Sequence, residues 1–485
     1  MTIFALVFLM LFVVLFLQLN NLQILQASKL AHAPGNSRNA SNAFSLPRGA
    51  ILTADGQVLA KSVPSKGIYH YQRVFPGGAL YAPITGFDSL IYGQSGIEAA
   101  YNTYLEGHQR TIHSISDFFK TTVITDSVQT TINAKLQQVA FQALGGKVGS
   151  VVAIDPQTGG ILALVSSPSY DPTPLSSPYG SIENKAWKAY TTGSLPPLLD
   201  YATGRAFPPG STFKVVVTSA VYDHDPSLAT TNYPSVSQIA LPQTTNTLHN
   251  YAYESCGGQM PELLKVSCDT GYAQLGLSLG ASNLSTEAEN FGFNQRPPLD
   301  ISGAAASSFP PVSFFSQNLP QLAYSSIGQG NVSATPLQMA LVAAGIANGG
   351  RIMAPHLMGS IIGPQGQVVR RYSTHVWKVA TSSATAAKVT TLMEGVVNGG
   401  TAQDIALPGV KIAAKTGTAQ FNLGTQTSGS GQSDNWMIAF APAQHPTIAV
   451  AVVVPAQIGL APNPTGALYA GPVVKAVLAA ALGVG

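Results

Sequence analysis

Residues 207–223 read FPPGSTFKVVVTSAVYD. A Pro-Pro-Gly turn runs straight into an apolar helix, with Ser211 in its first turn and Lys214 three residues on. Positions i and i+3 share a helical face, so the Lys214 amine is within reach of the Ser211 hydroxyl. A serine is inert at its free pKa and needs an adjacent base, which a lysine that is partly desolvated or beside another cation supplies. The helix N-terminus adds backbone N–H groups for a developing oxyanion. The same residues also describe a serine opening an ordinary helix, so the stretch takes its meaning from what accompanies it.

Two other stretches accompany it. In KIAAKTGTAQ (411–420), at the end of a strand, Lys415 supplies a cation, Thr416 and Thr418 supply hydroxyls, and Gly417 allows a ligand to lie against the backbone. That combination suits an anionic carboxylate. In VSCDT (266–270), Ser267, Cys268 and Asp269 are adjacent. Cys268 and Cys256 are the whole cysteine inventory. In an exported domain they would close a disulfide loop stabilising by roughly 3 kcal/mol, and in cytosol they would be two free thiols.

Taken in chain order, Ser-x-x-Lys, a Ser-x-Asn-like triplet and Lys-Thr-Gly resemble the motif set of the penicillin-binding proteins and serine β-lactamases. The segments GSVVAIDPQTGGILALVSSPSYDP, IGQGNVSATPLQMALVAAGIANGG and NGGTAQDIALPGVKIAAKTGTAQ resemble transpeptidase-domain sequence, and the resemblance spans about 146–485. RGAILTADGQVLA resembles the opening of the class B N-terminal module, and within class B the chain is most similar to the actinobacterial penicillin-binding protein A type.

The resemblance implies an α+β fold: a penicillin-binding, serine β-lactamase-like transpeptidase domain, an antiparallel sheet flanked by helices, behind a small β-rich N-terminal module and one transmembrane helix. It implies that Ser211 attacks the carbonyl between the terminal D-alanines of a peptidoglycan stem peptide while Lys214 takes its proton. Ser267, Asp269 and Lys415 would complete the catalytic group, with Lys415, Thr416, Gly417 and Thr418 binding the substrate's carboxylate end. The backbone N–H groups of Ser211 and Thr418 would form the oxyanion hole. β-Lactams would acylate Ser211, and no cofactor or metal is called for. A RodA- or FtsW-type glycan polymerase in the membrane is the implied partner. The alternatives within this resemblance are a β-lactamase and a non-catalytic scaffold for that polymerase.

Composition agrees with an exported enzyme rather than a nucleic-acid-binding or disordered chain. Only 9% of the 485 residues are charged, against ~25% on average, while 45% are hydrophobic, and the net charge of +3 comes without basic clusters. Ile3–Leu19, IFALVFLMLFVVLFLQL, contains one Gln and, with its neighbours, suffices to cross ~30 Å of hydrocarbon. A retained anchor is expected rather than a signal peptide, because the nearest small-x-small site, AHA at 31–33, lies well downstream. No Lys or Arg precedes the apolar run, so its flanks leave the orientation open. The substrate implied by the resemblance puts the catalytic domain outside the cytoplasmic membrane.

The expected organisation is an anchor (1–20), an N-terminal module with its linker (21–145) and a transpeptidase domain (146–485). A β-hairpin is expected over 46–62, and a helix over 133–144 with Leu136, Val139 and Ala140 on one face. A second hairpin is expected around Pro156–Gly160, three strands and a helix near the C-terminus, and mostly helices and loops over 185–400. Strands at both ends of the larger unit imply that its termini meet in one sheet.

Asp269 departs from the family pattern, which has Asn there. An ionised Asp accepts hydrogen bonds only and, set between Lys214 and Lys415, would favour their charged forms and weaken Lys214 as a base. Either a protonated Asp269 donates as Asn does, in an acidic exterior, or Asp269 pairs with the lysines while Ser267 shuttles the proton. His249 and the other histidines read as surface or packing residues, Glu394 as a solvated helix position, and Trp436 as core that also walls the cleft.

Overall fold

The computed structural model describes residues 2–26, 44–66, 69–109, 123–420, 433–461 and 463–484. Its first element, α1 (Thr2–Asn20), lies in an apolar helical stretch, Ile3–Gln23, with no part buried against the rest of the protein. At 1.5 Å per residue this stretch is about 30 Å long, the thickness of a bilayer core, and it fits a single-pass anchor.

The first hairpin pairs β1 (Ile51–Leu52) with β2 (Val58–Pro64), around a turn in which Gly56 takes positive φ. Both join β3 (Tyr71–Val74) and β4 (Ser127–Thr130) in a six-stranded sheet that is completed from far along the chain by β7 (Met358–Ile362) and β8 (Val368–Arg371). The expectation of mostly helices and loops over 185–400 left these two strands unplaced. The reason is physical: β8, sequence VVRR, is exposed along its whole length and carries no alternation of burial.

A buried charge cluster holds the small module together. Glu98 accepts from Arg73 Nε at 2.6 Å and from Arg48 Nη2 at 2.9 Å, and Arg48 also reaches Asp88 at 3.3 Å. Asn133 caps α2 (Ala134–Leu144) by accepting from Leu136 N, and Gly145 ends it in the left-handed conformation. Its buried face carries Leu136, Ala140 and Leu144 as well as Gln137, while Val139 is only half-buried. Gln137 is fully satisfied, donating to Leu80 O and Leu164 O and accepting from Leu164 N.

The second sheet is antiparallel throughout. It contains the hairpin β5 (Gly149–Ile154) and β6 (Ile161–Ser167), and the C-terminal strands β9 (Ala413–Gln420), β10 (Ser433–Ala441) and β11 (Ile448–Val454), in the order β6-β5-β11-β10-β9. Ala449 pairs with Ile154, so the two ends of the larger unit meet as expected. Strands β5, β6 and β11 are largely apolar runs, as strands covered on both faces require. One face takes α2 and the terminal helix α8 (Gly471–Leu482); the other takes α3 (Lys214–His224), α6 (Pro336–Ala347) and α7 (Ser383–Val397). The three consecutive valines of α3 disfavour a helix locally, but every residue from Lys214 to Val221 is buried, and tertiary packing overrides that preference.

Glu98 is 0% exposed, so removing it strands two guanidinium groups. Glu98→Ala is expected to cost about 3–5 kcal/mol, measured as a lower denaturant midpoint of the detergent-solubilised protein. An unchanged midpoint would show that the cluster contributes nothing to the module.

Candidate active site

The edge strand β9 and the start of α3 face each other across a narrow seam, and two glycines allow the approach. Gly210 has φ of 54°, and a Cβ there would sit 3.0 Å from Ala419 N. At Gly417 a Cβ would lie 2.9 Å from both Pro209 O and Thr212 Cγ2. That face of Gly417 packs on the turn carrying Ser211. Trp436 also lies behind this turn, fully buried, its indole N–H donating to Pro208 O at 2.9 Å, and it does not wall the cleft.

Gly210–Phe213 forms a single 3₁₀ turn before α3 begins at Lys214. In such a turn side chains at i and i+3 eclipse, so Ser211 and Lys214 project the same way. No hydrogen bond joins them: among the described residues Ser211 Oγ has no partner. The Lys214 amine donates instead to Asp269 Oδ1 at 2.6 Å, Ser267 O at 2.8 Å and, more weakly, Ser267 Oγ at 3.4 Å. The Tyr272 ring packs on the same amine, 5.1 Å from centroid to nitrogen.

Ser267 Oγ is the centre of the network, since the Lys415 amine also donates to it, at 2.7 Å. The chain reaches this point through a Schellman ending. Helix α4 (Met260–Lys265) is closed by Ser267 N donating to Leu264 O and Cys268 N donating to Leu263 O. Ser267 therefore occupies the left-handed position usually held by glycine, with φ of 62°. Strain of this kind persists only where the surroundings over-determine it. Here they do: Cys268 is bonded to Cys256 through a disulfide, and α5 (Asp269–Leu279) begins at the next residue. Asn250, almost fully buried, caps α5 from a distant loop, its Oδ1 accepting from Thr270 N at 2.8 Å while its Nδ2 donates to Val236 O and Glu254 O.

Both lysines are 0% exposed. Burial pushes the Lys214 amine below the ordinary lysine value, and the Asp269 carboxylate restores only part of that. Burial, reinforced by the neighbouring charge of Lys214, holds Lys415 well below its ordinary value, with Asp269 again opposing. The expected weakening of Lys214 by Asp269 is thus outweighed by desolvation. Of the two lysines Asp269 contacts Lys214 alone, through Oδ1 at 2.6 Å.

The remaining site residues lie on β9. Thr416 is nearly buried and shares a 2.6 Å hydrogen bond with Thr401, while Thr418 is half-exposed and accepts from Gly466 N at 3.2 Å. Sequence reasoning missed Asn250, Tyr272, Thr401 and Gly466, each of which acts through a neighbour distant in the chain. Only Thr401 left a signal, within the quoted segment NGGTAQ. Among the described residues no cluster of His, Cys, Asp or Glu is placed to hold a metal.

Two family models match the chain. The penicillin binding protein transpeptidase domain covers residues 149–479, and the penicillin binding protein A dimerisation domain covers 48–127. The peptidoglycan D,D-transpeptidase PbpA of Mycobacterium tuberculosis is 38% identical across 97% of this chain and 96% of its own. The peptidoglycan D,D-transpeptidase MrdA of Acinetobacter baumannii is 27% identical across 79% of this chain and 62% of its own. Among solved structures, the ceftriaxone acyl-enzyme complex of penicillin-binding protein A from M. tuberculosis aligns with a TM-score of 0.82 at 38% identity, over 91% of this chain and 99% of that one. Its penicillin G acyl-enzyme complex aligns at 0.81 and 38% identity, over 90% and 100%.

The buried lysines make a stability prediction. With its folded pKa lowered, Lys415 binds fewer protons folded than unfolded between that value and the ordinary 10.5, so stability rises with pH across this window. Below the window the burial penalty is felt in full. Lys415→Met is expected to gain about 1 kcal/mol or more at neutral pH and to flatten the alkaline rise. Melting temperatures of both proteins across the window test this; parallel curves would contradict it.

Proposed function

The chain belongs to the penicillin-binding protein transpeptidases, and we propose from this premise that it is a peptidoglycan D,D-transpeptidase with Ser211 as nucleophile. The observation that carries the assignment is the hydroxyl of Ser267 held between two fully buried lysines, one of them a single turn from Ser211.

Ser211 Oγ attacks the carbonyl between the two terminal D-alanines of a stem peptide. Lys214 is the base, and its lowered pKa increases the neutral share of the amine that proton abstraction requires. As a neutral base Lys214 has two N–H donors for the three oxygens around it, so turning its lone pair to Ser211 releases one of those contacts. Ser267, in hydrogen-bond reach of both lysines, passes the proton to the departing D-alanine. The ester on Ser211 then yields to an amine of a neighbouring stem, forming the cross-link. The backbone N–H groups of Ser211 and Thr418 bind the oxyanion, the two segments lying in contact at Gly210 and Ala419. Half-exposed Thr418 offers its hydroxyl to the substrate's terminal carboxylate, supported by Thr416, while buried Lys415 contributes charge from behind.

The substrate exists outside the cytoplasmic membrane, so α1 serves as a single-pass anchor there with the catalytic domain on the outer side. A RodA- or FtsW-type glycan polymerase is the partner proposed, on family resemblance alone. β-Lactams, as mimics of D-Ala-D-Ala, acylate the same serine.

Penicillin G is expected to leave one persistent adduct on Ser211 by mass spectrometry, and none in Ser211→Ala. Absence of an adduct on folded wild-type protein would favour a scaffold, and rapid nitrocefin turnover a β-lactamase. The acylation rate is expected to rise with pH through the lowered pKa of Lys214, with its midpoint on the acid side of 10.5. Ser267→Ala is expected to slow acylation about 100-fold or more; a rate within threefold of wild type would remove Ser267 from the proton path.

A further inference from the structure

Only one oxygen of Asp269 is occupied. Oδ1 receives the Lys214 amine, whereas Oδ2 has no hydrogen-bond partner among the described residues, and the side chain is 17% exposed. The carboxylate lines a slot of about 40 Å³, room for one small polar group. Around it stand His249, Tyr324, Gln329 and Gln420, with Ile327 also in the wall. Asp269 is the one carboxylate of the lining, and neither Lys nor Arg contributes. His249 Nδ1 lies 3.0 Å from Asn250 O, a carbonyl that can only accept, so the ring donates through Nδ1. A slot rich in acceptors, with one carboxylate, suits a group that donates N–H.

Its position gives that group a part in the reaction. Thr416, Thr418 and Gln420 alternate on one face of β9, so the slot lies on the same strand face as the two threonines proposed for the substrate's carboxylate. Asp269 is one hydrogen bond from Lys214, and Lys214 one turn from Ser211.

We propose that this slot receives the primary amine of the acceptor stem peptide, and that Asp269 holds the amine and takes its proton. The inference rests on the transpeptidase reading above. As the neutral amine attacks the acyl-enzyme, a bond forms between its nitrogen and the acyl carbon, and the bond from that carbon to Ser211 Oγ breaks. The one proton lost by nitrogen passes to the Asp269 carboxylate, then through the 2.6 Å contact to Lys214, and from Lys214 to Ser211 Oγ. The hydroxyl is restored, and the products are the new amide and free enzyme. Asp269 is thereby a catalytic residue of the second half-reaction. An Asn here offers no such proton acceptor.

The test uses the full-length protein in detergent, a donor peptide ending in D-Ala-D-Ala, and an acceptor peptide with one free lysine amine. Mass spectrometry counts cross-linked against hydrolysed donor. Both products descend from the same acyl-enzyme, so their ratio is independent of how fast that species forms. Asp269→Asn is expected to lower the ratio tenfold or more. Gln420→Ala, which leaves the lysine pair untouched, is expected to raise the acceptor concentration for half-maximal transfer severalfold. An unchanged ratio in Asp269→Asn, or an unchanged acceptor dependence in Gln420→Ala, overturns the slot assignment while wild-type cross-linking upholds the transpeptidase reading. A wild-type protein that penicillin does not acylate overturns both.

Discussion

Two lysine amines, both out of water, meet at one serine hydroxyl, and much of the larger domain follows from keeping them there. An ammonium group removed from solvent costs several kcal/mol even after relaxation, unless partners replace the lost hydration. Ser267 Oγ, Ser267 O, Thr416 O and Asp269 Oδ1 are those partners. They come from two places in the chain, 267–269 and 416; Lys415 adjoins the second of these, and Lys214 comes from a third. The five-stranded sheet brings these places together by pairing a strand near residue 150 with one near 450. Gly210 and Gly417 then let helix α3 and the edge strand approach closely enough for both amines to share one hydroxyl.

The segment bearing that hydroxyl is held from several sides because its conformation is not one serine prefers. A left-handed residue other than glycine costs of order 1 kcal/mol or more. The Schellman bonds of α4, the disulfide at Cys268 and the Asn250 cap on α5 all act within three residues of Ser267. None of the three touches the lysines. Each instead removes a way for the segment to relax, so the hydroxyl is presented without rearrangement when charge develops. The module built on the Arg48–Glu98–Arg73 cluster is a separate solution to the same difficulty, in which buried charges are tolerated because each has a counter-charge in contact.

What sequence reading recovered was what neighbouring residues encode. The hairpin at 149–167 is two apolar runs around a turn, and the motif residues Ser211, Lys214, Ser267 and Lys415 sit at short fixed spacings. What it missed depends on residues far apart in the chain. Strand β8 is exposed throughout and pairs with β7, itself bonded to β4 more than two hundred residues earlier. Asn250 carries no motif, and its role appears only once Thr270, Val236 and Glu254 surround it. At Gly417 the Pro209 carbonyl and the Thr212 side chain crowd the place a Cβ would take, a need for glycine that no local pattern carries. Gln137 sits on a buried helical face where apolar periodicity expects an aliphatic residue, and is tolerated because strand β6 supplies both a donor and an acceptor.

Asp269 shows how one substitution in a shared motif changes the electrostatic solution without changing the fold. With Asn at this position, two buried cations would face each other with only dipoles to offset them. The carboxylate places a negative charge against Lys214 and also opposes the lowering of the Lys415 pKa. That stabilises the resting site, but it occupies the donor of Lys214 that would otherwise turn towards Ser211. The unpaired hydroxyl of Ser211 is the other side of the same arrangement. In the mechanism proposed above the Lys214 amine must leave Asp269 to reach Ser211, so the strength of that contact bears on the proposed first step. Burial is what keeps that contact compatible with catalysis, since desolvation lowers the Lys214 pKa by more than Asp269 raises it.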